Sequence, residues 1–519
     1  MAPVMTSSSG YGGAEFAAKL TWRVLMCGLI ASTGGLMFGY DIGISGGVSG
    51  MDTFLKEFFP VVYKRKQMAK ENNYCKYDNQ LLQLFTSSLY LAALVMSFYA
   101  ATMCKKFGRK VTMQAASVFF LLGAILTVAA HRLWLLIVGR ILLGFGVGCG
   151  NQAVPLFISE IAPVKFRGAL NISFQLMITI GILIANVVNY YTAPIEWGWR
   201  LSLGLAGIPA VILIVGSFII SETPTSLIER GKLNEGRTIL KAIRGVDNVD
   251  LEFEEIQKAC EKANRIKSPF ANLMKRSSRP QLVIGVLMQV FQQFTGINAI
   301  MFYSPVLFQT VGFKNDAALL SAVITGTVNS LSTLVSIALV DRAGRRSLLL
   351  EACVQMGISQ AAIGGILATK LSLTGSLDHG TAIWVVLLIC FFVSGFAWSW
   401  GPLGWLVASE IFPLKTRAAG FSCAVSSNML FTAIIAQSFL SMMCKMQAGI
   451  FFFFLAWIVV MGLFVVFLLP ETKQVPIDEM VERVWKQHWY WKRFMVDDDE
   501  EEDYASAKKA QTLEMGVSS

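Results

Sequence analysis

Ser159-Glu160-Ile161-Ala162-Pro163-Val164-Lys165-Phe166-Arg167 recurs in the second half of the chain as Ser409-Glu410-Ile411-Phe412-Pro413-Leu414-Lys415-Thr416-Arg417. Two further pairs keep the same order. Phe107-Gly108-Arg109-Lys110 is matched by Ala343-Gly344-Arg345-Arg346, and Glu222-Thr223 by Glu471-Thr472. Each pair sits where a long apolar run gives way to a polar loop. Three repeats in one order define a duplicated unit, with halves at 1–220 and 281–490. Parallel halves related by an axis along the membrane normal are a transporter architecture, with substrate held between them near the midplane.

The composition agrees. Of 519 residues, 54% are hydrophobic and only 15% charged, against about 25% charged in ordinary soluble domains. A spanning helix needs about 20 mostly apolar residues. Twelve such runs occur, at 22–45, 82–101, 112–131, 134–156, 169–190, 199–220, 281–309, 318–340, 347–369, 382–410, 419–441 and 449–469. The expected fold is therefore an all-α membrane protein of twelve transmembrane helices in two six-helix halves. The first 19 residues are small and polar and do not read as a cleaved signal, so the first run is expected to remain as span one.

The net charge of +10 does not mark a nucleic-acid partner, because of where the cations lie. Lys105, Lys106, Arg109 and Lys110 follow span two, and Lys165 and Arg167 follow span four. Arg342, Arg345 and Arg346 follow span eight, and Lys415 and Arg417 follow span ten. With alternating spans these loops share one side, which the positive-inside rule makes cytoplasmic, together with both termini. The loop 46–81 dissents with six Lys or Arg against four acids, but long translocated loops obey the rule weakly. It is expected outside, as a small lid built on Phe54, Leu55, Phe58 and Phe59. Between the halves, 221–280 is polar, with helical apolar spacing in 229–244 and 251–266. These read as amphipathic helices on the cytoplasmic face. The tail 491–519 opens on an acidic run, Asp497 to Asp503, and is expected to be disordered.

The loop motifs, the paired Glu-x-x-Pro-x-x-x-Arg segments, Gln292-Gln293-x-x-Gly296-x-Asn298 and Pro470-Glu471-Thr472-Lys473 resemble the sugar porter family of the major facilitator superfamily. Phe38-Gly39-Tyr40-Asp41, the loop residue Cys75 and Gly401-Pro402-Leu403-Gly404-Trp405 are similar to the plant monosaccharide–proton symporters. The resemblance runs from about residue 20 to residue 492. It implies a plasma-membrane carrier, functional as a monomer, that moves a hexose such as glucose with protons. It also implies that Phe38 and Gly401 lie at the sugar. At Ala397 the chain departs from facilitative relatives, which tend to carry a glutamate there; the exchange leaves an apolar wall.

A sugar presents many hydroxyls and one or two apolar faces, so its site needs neutral amides and an aromatic surface. The chain places Gln175 in span five, Gln292, Gln293 and Asn298 in span seven, Asn329 in span eight and Asn428 in span eleven. Buried amides also glue helices together, and for any one of them that reading is as good. The resemblance assigns the group to sugar contacts. On a straight helix Gln292 and Asn298 lie roughly 240° apart. A break at Thr295-Gly296 is expected to re-aim Asn298 toward the same cavity. Asn428 and Thr432 share a face. Trp405 follows a Gly-Pro-Leu-Gly run read as non-helical, which suits a mobile wall capped by a stacking indole.

Asp41 is an acid deep in span one, a functional site by default. Arg140 in span four is its plausible counter-charge. Arginine stays protonated, so only Asp41 can switch the pair. Arg109, Glu160, Arg167, Arg345, Glu410 and Arg417 recur symmetrically and are expected to form a cytoplasmic salt-bridge gate between the halves. Of nine cysteines only Cys75 and Cys444 fall in outer loops, where the medium is oxidising, so they form the expected disulfide. No cysteine–histidine cluster has metal spacing, and there is no nucleophile–base pair or phosphate loop. The reading is a secondary transporter, not an enzyme, without cofactor or metal, whose partners are a monosaccharide, protons and the bilayer. The rivals are a sugar uniporter, which has no use for a titratable intramembrane acid, and a non-transporting sensor, which the short tails disfavour.

Overall fold

The computed structural model describes residues 20–67, 73–163, 166–264, 269–311, 315–371, 378–413, 416–473, 475 and 480–495. Lys165, Lys415, the N-terminal segment and the acidic run 497–503 lie outside these residues. Among the described residues there is no strand, and eleven helices are long and apolar enough to cross a membrane. A bent pair supplies a twelfth.

Spans one to six are Trp22–Gly50, Gln80–Lys106, Arg109–Val128, Leu133–Ile161, Arg167–Thr192 and Gly198–Ile219. Span seven is Arg279–Phe294 with Ile297–Val311, and span eight is Asn315–Ala343. Span nine begins as Arg345–Ile366, and span ten is His379–Trp398 with Trp400–Ile411. Spans eleven and twelve are Arg417–Met446 and Gly449–Phe467. Their starts are locally specified. The Asn79 side chain accepts from the backbone of Leu81 and Leu82 at the head of span two, and Asp378 accepts from Thr381 at the head of span ten. Both satisfy amides that a helix start leaves orphaned.

The sequence repeat becomes a repeat of contacts. Glu222 accepts from the backbone amides of Arg109 (3.2 Å) and Lys110 (3.1 Å), which open span three. Glu471 accepts from those of Arg345 and Arg346, both at 3.0 Å, which open span nine. A carboxylate there meets free N–H groups and the positive end of the helix dipole. Arg109 pairs with Glu160 at 2.8 Å, and Arg345 with Glu410 at 3.0 Å. Thr223 donates to Glu160 (2.6 Å), and Thr472 to Glu410 (3.1 Å). The paired motifs build the same junction twice.

One expectation needs adjusting at the other end of the bundle. Span one runs on to Gly50, so the long connection starts at 51 rather than 46. It holds helices Asp52–Phe58 and Pro60–Gln67. Phe54 is buried against Phe85 of span two and Trp199 of span six, with ring centroids 5.1 Å and 5.7 Å away. Cys75 forms a disulfide with Cys444, joining this connection to the end of span eleven. Between the halves lie helices Pro224–Glu229, Leu233–Arg244, Asp250–Asn264 and Pro269–Leu273. Leu233–Arg244 buries Leu240 and Ile243 while exposing Glu235 and Arg237, an amphipathic pattern. Spans one and seven, two and eleven, and five and eight meet across the halves.

Candidate functional site

The cavity begins with glycines. Gly35, Gly39 and Gly43 recur every four residues along one face of span one, where span five lies against it. A Cβ on Gly39 would sit 1.9 Å from the Ile178 carbonyl oxygen. Small residues at this spacing let two backbones touch. That contact sets Phe38 and Ile42 opposite Gln175, Ile178 and Ile182, which share one face of span five, and all five line the cavity.

The second wall is span seven, where the break expected at Thr295-Gly296 is present. Gly296 takes φ +86°, and the helix bends by 46°. A residue with a Cβ would be strained there. Beyond the break Asn298 turns to the cavity beside Gln293, to which its side-chain amide donates, and lies 3.5 Å from Thr432 Oγ1. Ile297 and Met301 complete this wall.

The third wall is span ten, and one expectation is overturned. Gly401-Pro402-Leu403-Gly404 is helical, within Trp400–Ile411. The break falls earlier, at Ser399, with φ −132° and ψ −90°. Pro402 is tolerated because it lies in the first turn, where a missing N–H costs nothing. Trp405 lines the cavity and is held edge-on to Phe174 of span five at 5.9 Å. Phe396 contributes apolar surface before the break, and Ala397 beside it is fully buried.

The amides divide into two sets. Gln292 Nε2 donates to the carbonyls of Trp400 (3.0 Å) and Gly401 (2.9 Å), and its Oε1 accepts from Asn428 at 2.7 Å. Asn428 also donates to Gln289, and Thr432 donates to the Asn428 carbonyl. These residues tie spans seven, ten and eleven together; Gln292 and Asn428 line the cavity, whereas Gln289, Thr432 and Gly401 stand behind its lining. Gly401 takes part through its carbonyl. Asn329 also lines the cavity, and its Oδ1 is buried without a hydrogen-bond partner. That is an acceptor that costs about 1–3 kcal/mol until something donates to it.

Asp41 lies one helical step from Ile42 on the same turn of span one as Phe38. Arg140 Nη1 pairs with Asp41 Oδ1, and Nη2 donates to Ser45 Oγ at 2.5 Å. The guanidinium stacks on Phe85 at 4.0 Å. The two side chains are 3% and 0% exposed, so this is a desolvated pair and not one at the wet end of a helix.

The six linker-end charges are not arranged as a bridge from half to half in the way the sequence suggested. Arg109–Glu160 and Arg345–Glu410 each lie within one half. Arg417 does cross, donating to Ser159 at 2.7 Å, and Arg167 stands close enough to Glu410 for their charges to interact. Asn171 donates to Ser409 and Gln152 to the Ala418 carbonyl, again across the halves. At the disulfide end Gln80 donates to Ser441 and Ser87 to Gln437. Cross-half contacts thus lie on both sides of the cavity.

Sequence reading missed the apolar lining: Ile42, Ile178, Ile182, Ile297, Met301 and Phe396. The signal existed, since Ile178 and Ile182 follow Gln175 by three and seven residues. Yet isoleucine in a membrane helix faces lipid just as readily. Among the described residues no group of three or more His, Cys, Asp or Glu could hold a metal ion.

Comparison with known proteins bears on this geometry. The family model described as "Sugar (and other) transporter" matches residues 27–485. Sugar transport protein 8 of Arabidopsis thaliana is 65% identical over 498 residues, covering 96% of this chain and 98% of the relative. Sugar transport protein MST4 of Oryza sativa subsp. japonica is 63% identical, covering 94% and 95%. The solved structure of the proton:xylose symporter XylE bound to 6-bromo-6-deoxy-D-glucose is 26% identical, with TM-score 0.77, over 89% of this chain and 99% of that one. With a match that spans both halves, the linker and the whole cavity, the chain belongs to the sugar (and other) transporter family and has the major facilitator fold.

Proposed function

We propose that this protein takes up a monosaccharide, most readily a hexose such as glucose, together with protons. The observation that carries the proposal is Asp41. It is a desolvated carboxylate held by one arginine, on the same helical turn as Phe38 and Ile42 of the cavity wall. The relatives named as sugar transport proteins and the solved proton:xylose symporter support the substrate class and the coupling ion. Gln175, Gln293, Asn298 and Asn329 would meet sugar hydroxyls, and Trp405 and Phe38 the ring faces. Gln292, Asn428, Thr432 and Gly401 would both bind and brace. A neutralised Asp41 releases Arg140, and span one then shifts at the turn that faces the sugar.

The disulfide end faces the oxidising outside and the linker end the cytoplasm, where both termini lie, in the plasma membrane. The Glu160 and Glu410 junctions hold each half rigid, so that the cross-half contacts of Arg167 and Arg417 open and close the cytoplasmic path. The protein works as a monomer.

The test is uptake of labelled glucose in a sugar-transport-deficient host, with competing sugars and a protonophore. Accumulation above the outside concentration that collapses with the protonophore supports the reading. Equilibration without accumulation points to a uniporter, and binding without flux to a sensor.

A further inference from the structure

Span two carries a polar face that the sugar site does not use. Gln83, Ser87 and Tyr90 lie within about 60° of one another on a helix of 3.6 residues per turn, and Thr86 flanks them. All four are buried, where the helix packs between span one, span seven and span eleven. The face begins at the disulfide end. There Asp78 Oδ1 accepts from Ser441 at 2.6 Å, and Gln83 Nε2 donates to Ser441 at 3.1 Å. It ends at Asp41. The Tyr90 ring lies between Phe38 and Phe302, at 6.4 Å and 5.3 Å, and its hydroxyl stands close to Asp41, Arg140 and Tyr303.

Four atoms along this line are buried and have no hydrogen-bond partner: Gln83 Oε1, Thr86 Oγ1, Tyr90 Oη and Asp41 Oδ2. Buried polar atoms are nearly always satisfied, and a water is the usual partner when protein supplies none. Thr86 lies near the Tyr303 hydroxyl and between Gln83 and Tyr90 along the helix. Side chains on a helix lean toward its N-terminus. Tyr90 therefore points back up the face toward Gln83, with the phenyl rings of Phe38 and Phe302 between this line and the sugar cavity.

We propose that this face of span two is a water-lined proton entry to Asp41, separate from the sugar path, with Tyr90 as its last station. The inference rests on the symport reading above. Waters held by Gln83 and Thr86 carry a proton in from the outer medium. The last of these waters gives a proton to Tyr90 Oη as Tyr90 passes its own to Asp41 Oδ2 through one bridging water, which both unpartnered atoms would hold. The medium loses one proton, Asp41 becomes a neutral acid, Tyr90 ends unchanged, and no electrons change hands. The groups facing Asp41 are Arg140 from span four, Tyr90 from span two and Ser45 from its own helix, with Tyr303 of span seven behind Tyr90. Tyr90 is the only one of these placed between the polar face and the acid.

The test uses the full-length protein in proteoliposomes and two rates, proton-driven accumulation of labelled glucose and glucose–glucose exchange. In Tyr90→Phe the ratio of accumulation to exchange should fall about tenfold or more, below the roughly hundredfold of a positioned proton-transfer group because waters can partly take its place. Accumulation should also need a more acidic outside. A structural defect would lower both rates together. An unchanged ratio and pH profile overturns the proposal, and if Tyr90→Phe does not reach the membrane, the same readout on Gln83→Leu decides it. A parent that exchanges glucose but never accumulates it sinks the symport reading instead, which the variants are not needed to show.

Discussion

The two halves of this molecule are near copies at one end and unlike at their centre. At the linker end, Arg109–Glu160 with Thr223 and Glu222 matches Arg345–Glu410 with Thr472 and Glu471, contact for contact. At the midplane the N-terminal half offers isoleucines, one amide and a buried ion pair on an intact span one. The C-terminal half offers five amides and a span seven bent by 46° at Gly296. The difference separates what the fold needs from what transport needs. Both halves must anchor the heads of spans three and nine in the same way to stay rigid. On the proposed reading one half holds the proton, and most of the groups that grip hydroxyls belong to the other.

Four experiments test that division, in order of expected effect. Asp41→Asn should abolish accumulation. A one-proton carrier gains about 1.4 kcal/mol, or tenfold accumulation, per pH unit of gradient, and the variant should fall to about one at every pH. Labelled glucose uptake against outside acidity reads this directly. If a C-terminal amide variant uncouples as completely, proton and sugar roles are not divided between the halves.

Gln292→Ala should weaken glucose binding by about tenfold or more, because it removes bonds of about 1–2 kcal/mol each and strands Asn428. Competition uptake measures it, and proton-driven accumulation at saturating sugar should persist. Affinity within twofold of the parent would make Gln292 a brace alone.

Gly296→Ala asks a β-carbon to adopt φ +86° and to lie 2.8 Å from the Phe454 ring. The backbone strain alone is about 1–2 kcal/mol, so affinity should drop by about threefold to tenfold as Asn298 loses its aim. Span one has no glycine at positive φ, so Gly39→Ala there tests backbone packing against span five and not a helix break, which is how the comparison sharpens.

The smallest effect belongs to the shared junctions. Glu222→Gln and Glu471→Gln each remove a carboxylate from a helix N-terminus, worth about 0.3–1 kcal/mol. Thermal unfolding in detergent should show two nearly equal, small decreases with coupling intact. A strong loss of transport in only one of them would mean that this junction does more than hold its half.

Much of this was legible beforehand. Hydropathy marks the spans because backbone in lipid must satisfy itself, leaving only long apolar helices. The duplication is visible because its loops need the same Glu, Thr and Arg in the same places. Asp41 stands out because charge in hydrocarbon is rare, and Cys75 and Cys444 because sidedness left no other outside pair. The helical Gly-Pro-Leu-Gly run was misread. Proline and glycine signal a break, but the break lies just before them, at Ser399, and Pro402 sits where a first turn accepts it.

By itself, then, the sequence determined the twelve spans, their duplication and the residue types capable of holding a sugar and a proton. These follow from local composition and spacing, which act the same wherever the helix ends up. Tertiary structure alone decided partners and facing. Glu160 and Glu410 close onto arginines of their own halves because the heads of spans three and nine lie beside them. Gln292 is committed to the carbonyls of span ten because the break there turns them inward. Ile178 and Ile182 face the cavity, and not lipid, because the glycines of span one let span five come into contact with it. Which helix a side chain meets depends on packing between segments far apart in the chain, and no local pattern records it.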